Sequence, residues 1–146
     1  MSLPESFRLT VHDDEAPVEA AVVVAGLDEA NEQVAAFRDV RPLSAYVRDS
    51  GGVVIGGAVG RTWGDCCELR VLWVEKRQRG NGIGTRLLRA FEARAVERGC
   101  RLAYLETFNI QARPFYEALG YEVALEITGF AADINKCVLT HRLAVD

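Results

Sequence analysis

Histidine is scarce in this chain: there are two, and no CxxC pair occurs among the four cysteines. A zinc centre needs thiolates and imidazoles clustered at short spacings, so no metal is expected. His12 and His141 lie near the chain ends and read as structural or solvated residues. A basic excess is also missing. The net charge is −4 and the pI is close to 5.3. That balance argues against a nucleic-acid partner and is compatible with a cationic substrate. No apolar run suits a bilayer; the longest, residues 16–27, carries Glu19. Charges interrupt the N-terminus too early for a secretory leader, so a cytoplasmic location without membrane contact is expected. The chain is too long and hydrophobic for a disulfide scaffold, which leaves Cys66, Cys67, Cys100 and Cys137 as reduced packing residues. Cys66 would need a nearby histidine to act as a nucleophile, and neither is close in sequence.

What is present suits one domain, residues 1–146, with 49% hydrophobic and 26% charged residues. No repeat or linker divides it. Residues 7–11 alternate and predict a first strand; a helix follows from about Pro17, where Val18, Val22 and Ala25 keep helical spacing. Gly26 is expected to end or kink that helix. Residues 43–47 and 53–59 predict two strands about a turn at 49–52. Gly56, Gly57 and Gly60 weaken the second strand unless a backbone or ligand comes close. Residues 61–65 predict a turn and 68–74 a strand. Its alternation places Glu68, Arg70, Leu72 and Val74 on one face. A helix over 83–98 follows, with Ile83, Leu87, Leu88, Phe91 and Ala95 on one side and Gly99 as its stop. Strands at 102–107, 121–127 and 138–143 and a short helix at 111–119 complete a mixed α/β order, hairpins first and β-α-β units later.

Arg79-Gly80-Asn81-Gly82-Ile83-Gly84 sits between a predicted strand and a predicted helix. The glycines let the backbone curl so that successive N–H groups converge. The helix mouth adds unpaired N–H groups and the positive dipole end, and Arg79 adds a bidentate cation. Such a construction suits a diphosphate. A dinucleotide fingerprint counted from Gly80 needs glycine where Thr85 stands, and a Walker loop needs a Gly-Lys-Ser/Thr ending that is absent. The pattern Gln/Arg-x-x-Gly-x-Gly/Ala fits as Arg79, Gly82 and Gly84.

With that context the chain resembles the GNAT family of N-acetyltransferases. LWVEKRQRGNGIGTRLL is similar to the family's strand–loop–helix, and YLETFNIQARPFYEALGYE to its later strand and helix. The likeness is firm over residues 43–126, and Gly26-Leu27 with Asn31 resembles the first helix of a bacterial subgroup. The resemblance implies a mostly antiparallel central sheet flanked by helices, with the family's fourth and fifth strands splayed. Acetyl-CoA would lie in the splay, its pantetheine arm bonded to the backbone along Leu72, Trp73 and Val74. Arg79, Gly80, Asn81, Gly82, Ile83, Gly84 and Thr85 would hold its diphosphate, and Asn109 and Phe115 would border the thioester end. The last strands of such folds often pair across a homodimer.

An acetyltransferase must remove a proton from an amine that titrates near roughly 10 and supply one to the departing thiolate. Tyr116 is the candidate acid: a phenol donates readily and stays protonated at neutral pH. Relatives use the tyrosine of this Phe-Tyr pair in that role; otherwise it is a packing aromatic. Glu68 stands where some relatives carry a catalytic glutamate and could act through water, with Glu106 and Asp65 as reserves; otherwise it is a carboxylate paired with Arg70. The expected activity is transfer of an acetyl group from acetyl-CoA to a primary amine of a small molecule or peptide, by direct attack in a ternary complex. A non-catalytic acyl-CoA sensor is the alternative, disfavoured by Tyr116. The acceptor pocket, expected from the first helices and a loop at 128–136, has no recognisable signature.

Overall fold

Pairing of hydrophobic and β-branched segments lays down six strands between residues 41 and 142. The computed structural model describes Pro4 and residues 6–144, Arg38 by its backbone alone. The chain forms two compact units, one ending at Arg38 and one beginning at Asp39. In the first, α1 (Pro17–Glu32) starts with proline at its N-terminal turn and runs through Gly26 without a break. The expected strand at 7–11 does not form; it finds no partner among the described residues, and an unpaired strand leaves its polar backbone unsatisfied.

In the second unit, β1 (Arg41–Arg48) and β2 (Val54–Trp63) form a hairpin. Asp49 closes its turn, its Oδ1 accepting from the N–H groups of Gly51 and Val53, both at 2.9 Å. A tight turn at Gly64 leads to β3 (Cys66–Val74), so residues 61–63 belong to the strand and not to a turn. α2 (Ile83–Glu97) and β4 (Leu102–Phe108) follow, then α3 (Arg113–Ala118), β5 (Glu122–Ala131) and β6 (Ile134–Arg142). Residues 128–136, expected as a loop, are instead the tip of a long β5–β6 hairpin. The sheet order is β1-β2-β3-β4-β6-β5, and β3/β4 is its one parallel pair. That parallel pair follows from the helical crossover α2, as a parallel connection requires.

α2 buries Leu87, Leu88, Phe91 and Ala95, as its periodicity predicts, and also Glu92. The Glu92 carboxylate is satisfied: the Tyr121 hydroxyl donates to it at 2.9 Å, and Arg89 pairs with it at 2.8 Å. Gly60 shows why β2 carries glycine. A Cβ there would collide with the Glu68 carbonyl and press on the Phe91 ring, 2.9 Å away. The buried core joins these residues to Cys67 and Leu69 of β3, Ala103 and Leu105 of β4, and Cys137 and Leu139 of β6.

Candidate active site

β3 and β4 are ladder partners only over residues 66–69 and 102–105. Beyond that point residues 71–74 stay with β2, and residues 106–108 stay with β6. The splay implied by the family resemblance is therefore present, but between the third and fourth strands, because residues 7–11 add none. The strands open into a cleft of about 880 Å³, within the usual range for ligand pockets.

A β-bulge starts the divergence. Val59 stands opposite Val71 and Gly60 opposite Leu69, so Arg70 is an extra residue with no partner on β2. A bulge re-aims the side chains beyond it. Cys67 and Leu69 point into the core before it, and Leu72 and Val74 turn to the same core after it. Glu68 accordingly lies on the opposite face from Leu72 and Val74, which corrects the simple alternation expected from the sequence.

At one end of the cleft is the mouth of α2. Gly80 (φ 81°) and Gly82 (φ 76°) are left-handed, and Gly82 is the N-cap. No side chain caps this helix, so its first N–H groups are free to face an anion. Leu72, Trp73, Val74, Arg79, Gly80, Gly82, Ile83, Gly84 and Thr85 all line the cleft, as does Gln78. Arg79 Nε donates to the Val74 carbonyl at 2.9 Å, which ties the loop to the end of β3. Asn81 is exposed and lies outside the lining.

α3 lies beside this mouth, with Phe115 Cζ 3.5 Å from where a Cβ on Gly84 would stand. Phe115 and Tyr116 line the cleft, with ring centroids 5.1 Å apart. Tyr116 is buried, at 7% exposure, and its hydroxyl has no hydrogen-bond partner among the described residues. Burial pushes its phenol above the usual value. The Tyr116 hydroxyl is therefore protonated and uncommitted, the state required of a proton donor. Asn109 is engaged elsewhere. Its Nδ2 donates to the Asp133 carbonyl at 2.8 Å and its Oδ1 accepts from the Asn135 N–H at 2.9 Å, so it clasps the β5–β6 hairpin.

Arg70, Glu106, Thr107 and Gln111 line the cleft and also a second cavity of about 340 Å³, completed by Glu68, Leu69, Phe108 and Lys136. Glu68 pairs there with Arg61 (Nε to Oε2, 2.7 Å), and that bond is the main cause raising the Arg61 pKa. Lys136 stands 3.4 Å from Glu106 and within 6 Å of the Phe108 and Phe130 rings. Asp65 lines neither cavity; its carbonyl accepts from the Arg101 N–H at 2.7 Å. Sequence reasoning missed Arg70 and Gln111, which carry no local motif. Among the described residues no cluster of His, Cys, Asp or Glu could hold a metal, and no helix is long and apolar enough to cross a membrane.

A sequence model of the Acetyltransferase (GNAT) family matches residues 10–121, which reach into both compact units. The chain is 33% identical over 145 residues to a blasticidin-S acetyltransferase from Streptomyces morookaense, with 98% of this chain and 99% of that one aligned. Among solved structures, one of a proposed acetyltransferase from Agrobacterium tumefaciens superposes with a TM-score of 0.78 at 30% identity. It covers 93% of this chain and 98% of its own. An acetyltransferase from Bacillus cereus shares the fold, with a TM-score of 0.76 at 24% identity over 92% of this chain and 98% of its own.

Proposed function

The chain belongs to the GNAT acetyltransferase family, and on that premise we propose that it transfers an acetyl group from acetyl-CoA to a primary amine by direct attack in a ternary complex. One observation carries this: a single cleft runs from the uncapped mouth of α2 to the unpartnered hydroxyl of Tyr116. The blasticidin S of the Streptomyces relative's name is a small-molecule antibiotic, which supports a small-molecule acceptor over a peptide.

The residues present suit acetyl-CoA. The free N–H groups at Ile83, Gly84 and Thr85, beside Gly80 and Gly82, would hold the diphosphate, and Arg79 would add its remaining guanidinium nitrogens. The edge of β3 along Leu72, Trp73 and Val74, which has no strand partner on the cleft side, would take the pantetheine arm as an added strand, although the Val74 carbonyl already accepts from Arg79. Phe115, expected at the thioester end, has its ring against Gly84 and would instead pack beside the arm where it leaves the diphosphate. The cosubstrate supplies an activated acyl group as a thioester. Tyr116 then gives its hydroxyl proton to the departing sulfur. Glu68, which is shared with Arg61 and Tyr104, would hold the incoming ammonium on the acceptor side and pass its proton to solvent. Neither step needs a metal, and every residue named for them belongs to the unit that begins at Asp39.

Calorimetry with acetyl-CoA, followed by mass measurement of products from an amine panel that includes blasticidin S, tests this. Heat of binding and a gain of one acetyl group on an amine are expected. Absence of both would overturn the proposal. Binding without transfer would favour an acyl-CoA sensor.

A further inference from the structure

The bulge residue Arg70 lines both the main cleft and the 340 Å³ cavity. It forms no ion pair or hydrogen bond among the described residues, whereas the other three charged residues of the smaller cavity are committed: Glu68 to Arg61, and Glu106 and Lys136 to each other. Arg70 is exposed, so its uncommitted guanidinium at the junction of two cavities is available to an anion that enters either one.

The diphosphate is not that anion. Arg70 precedes Val74 by four residues of extended strand, about 13 Å, and the phosphate cradle begins only beyond Val74. A phosphomonoester fits less well, because Arg70 is the one uncommitted cation among the described residues of the cavity while a dianion calls for two; Lys136 is already paired with Glu106. A monoanionic carboxylate beside an amine matches the set. Arg70 offers the uncommitted positive charge for the carboxylate, and the amine is what acetyl transfer requires; Glu68, two residues away, is held by Arg61. We infer that the acceptor is a zwitterionic amine, a small molecule of amino-acid type, whose carboxylate is bound by Arg70 while its amine meets the cleft. This inference rests on the acetyltransferase activity proposed above.

Matched amine pairs test it: ornithine with putrescine, lysine with cadaverine, and β-alanine with ethylamine, with phosphoethanolamine as an anion of another class. The protein is given acetyl-CoA and each amine, and kcat/KM is measured. The carboxylate-bearing member is expected to exceed its partner by roughly tenfold or more, the size of a charge-assisted hydrogen bond. Arg70→Gln should bring that ratio to within about twofold, and Arg70→Lys should retain part of it, since the charge remains. Equal use of both members, or a ratio that survives Arg70→Gln, overturns the inference. So does preference for phosphoethanolamine, or a weakening of acetyl-CoA binding by Arg70→Gln. Acetylation of no amine at all would remove the proposed function and this inference with it, whereas transfer without carboxylate preference removes the inference alone.

Discussion

The two halves of β3 belong to one strand and have different surroundings. Residues 66–69 are paired with β2 on one side and β4 on the other, and Cys67 and Leu69 are buried against the core. Residues 71–74 keep the β2 ladder, face a cleft instead of β4, and leave Val71 and Trp73 exposed. One residue, Arg70, separates them. By adding it to β3 and nothing to β2, the chain turns a closed sheet into an open one while keeping the core face continuous. The site is thus made by interrupting the sheet where its packing is already secure, and the interruption costs only the partners of one residue and one strand edge.

The sharpest way to break the first half is Gly60→Val. Its side chain has nowhere to go between the Glu68 carbonyl and Phe91. Overpacking against backbone should destabilise by about 3 kcal/mol or more and lower Tm by roughly 6–12 °C in a chain of this size. A thermal melt matching the parent protein would mean that the bulge does not draw β2 and β3 together here. Breaking the second half requires a change at its phosphate end. At Gly82 a Cβ meets no protein atom within 4 Å, but φ is 76°, which a β-branched residue resists. Gly82→Val should therefore leave the fold standing and swing the α2 amides out of line, weakening acetyl-CoA binding at least roughly 100-fold by calorimetry. Gly82→Asn, which tolerates the left-handed region, should lose far less.

That contrast also explains what the sequence could reveal. The left-handed glycine loop and α2 were legible because each depends on neighbours a few residues away: positive φ at Gly80 and Gly82, and helical spacing from Ile83 to Ala95. The family resemblance supplied the splay. The bulge was hidden because it is a property of pairing: it appears only when Gly60 is set against Leu69, and without it Glu68 was expected on the face of Leu72 and Val74. Asn109 is a similar case, since its partners Asp133 and Asn135 lie more than twenty residues away across a hairpin expected as a loop. The alternation at 7–11 looked like a strand because periodicity records amphipathic character and says nothing of a partner.

At the chemical end of the open half, Tyr116→Phe removes a hydroxyl and little else, as the ring is held by Phe115 and Tyr121. The expected loss is about 10–100-fold in kcat, with acetyl-CoA affinity changed less than about twofold. The pH dependence has a definite sign. An acid must be protonated to act, and burial raises this phenol above its ordinary value of 10.0. The rate it supports therefore persists through pH 10 and falls only above it. A descending limb centred below pH 10 that disappears in Tyr116→Phe would contradict the buried position.

Glu68 gives the smallest expected effect and the finest test of the comparison, because it is the last acidic residue of the closed half. If the bulge places it on the acceptor side, bonded to Arg61 and opposite Tyr104 in register, it can hold an ammonium, yet solvent can also take the proton. Glu68→Gln should then lower kcat/KM for the amine by less than about tenfold and leave acetyl-CoA binding unchanged. A single essential base would instead give a fall of about 100- to 10,000-fold, carried by kcat. A result of that size, with the fold intact by thermal melt, would mean that the carboxylate reaches the reacting amine directly and that the closed half of β3 takes part in the chemistry.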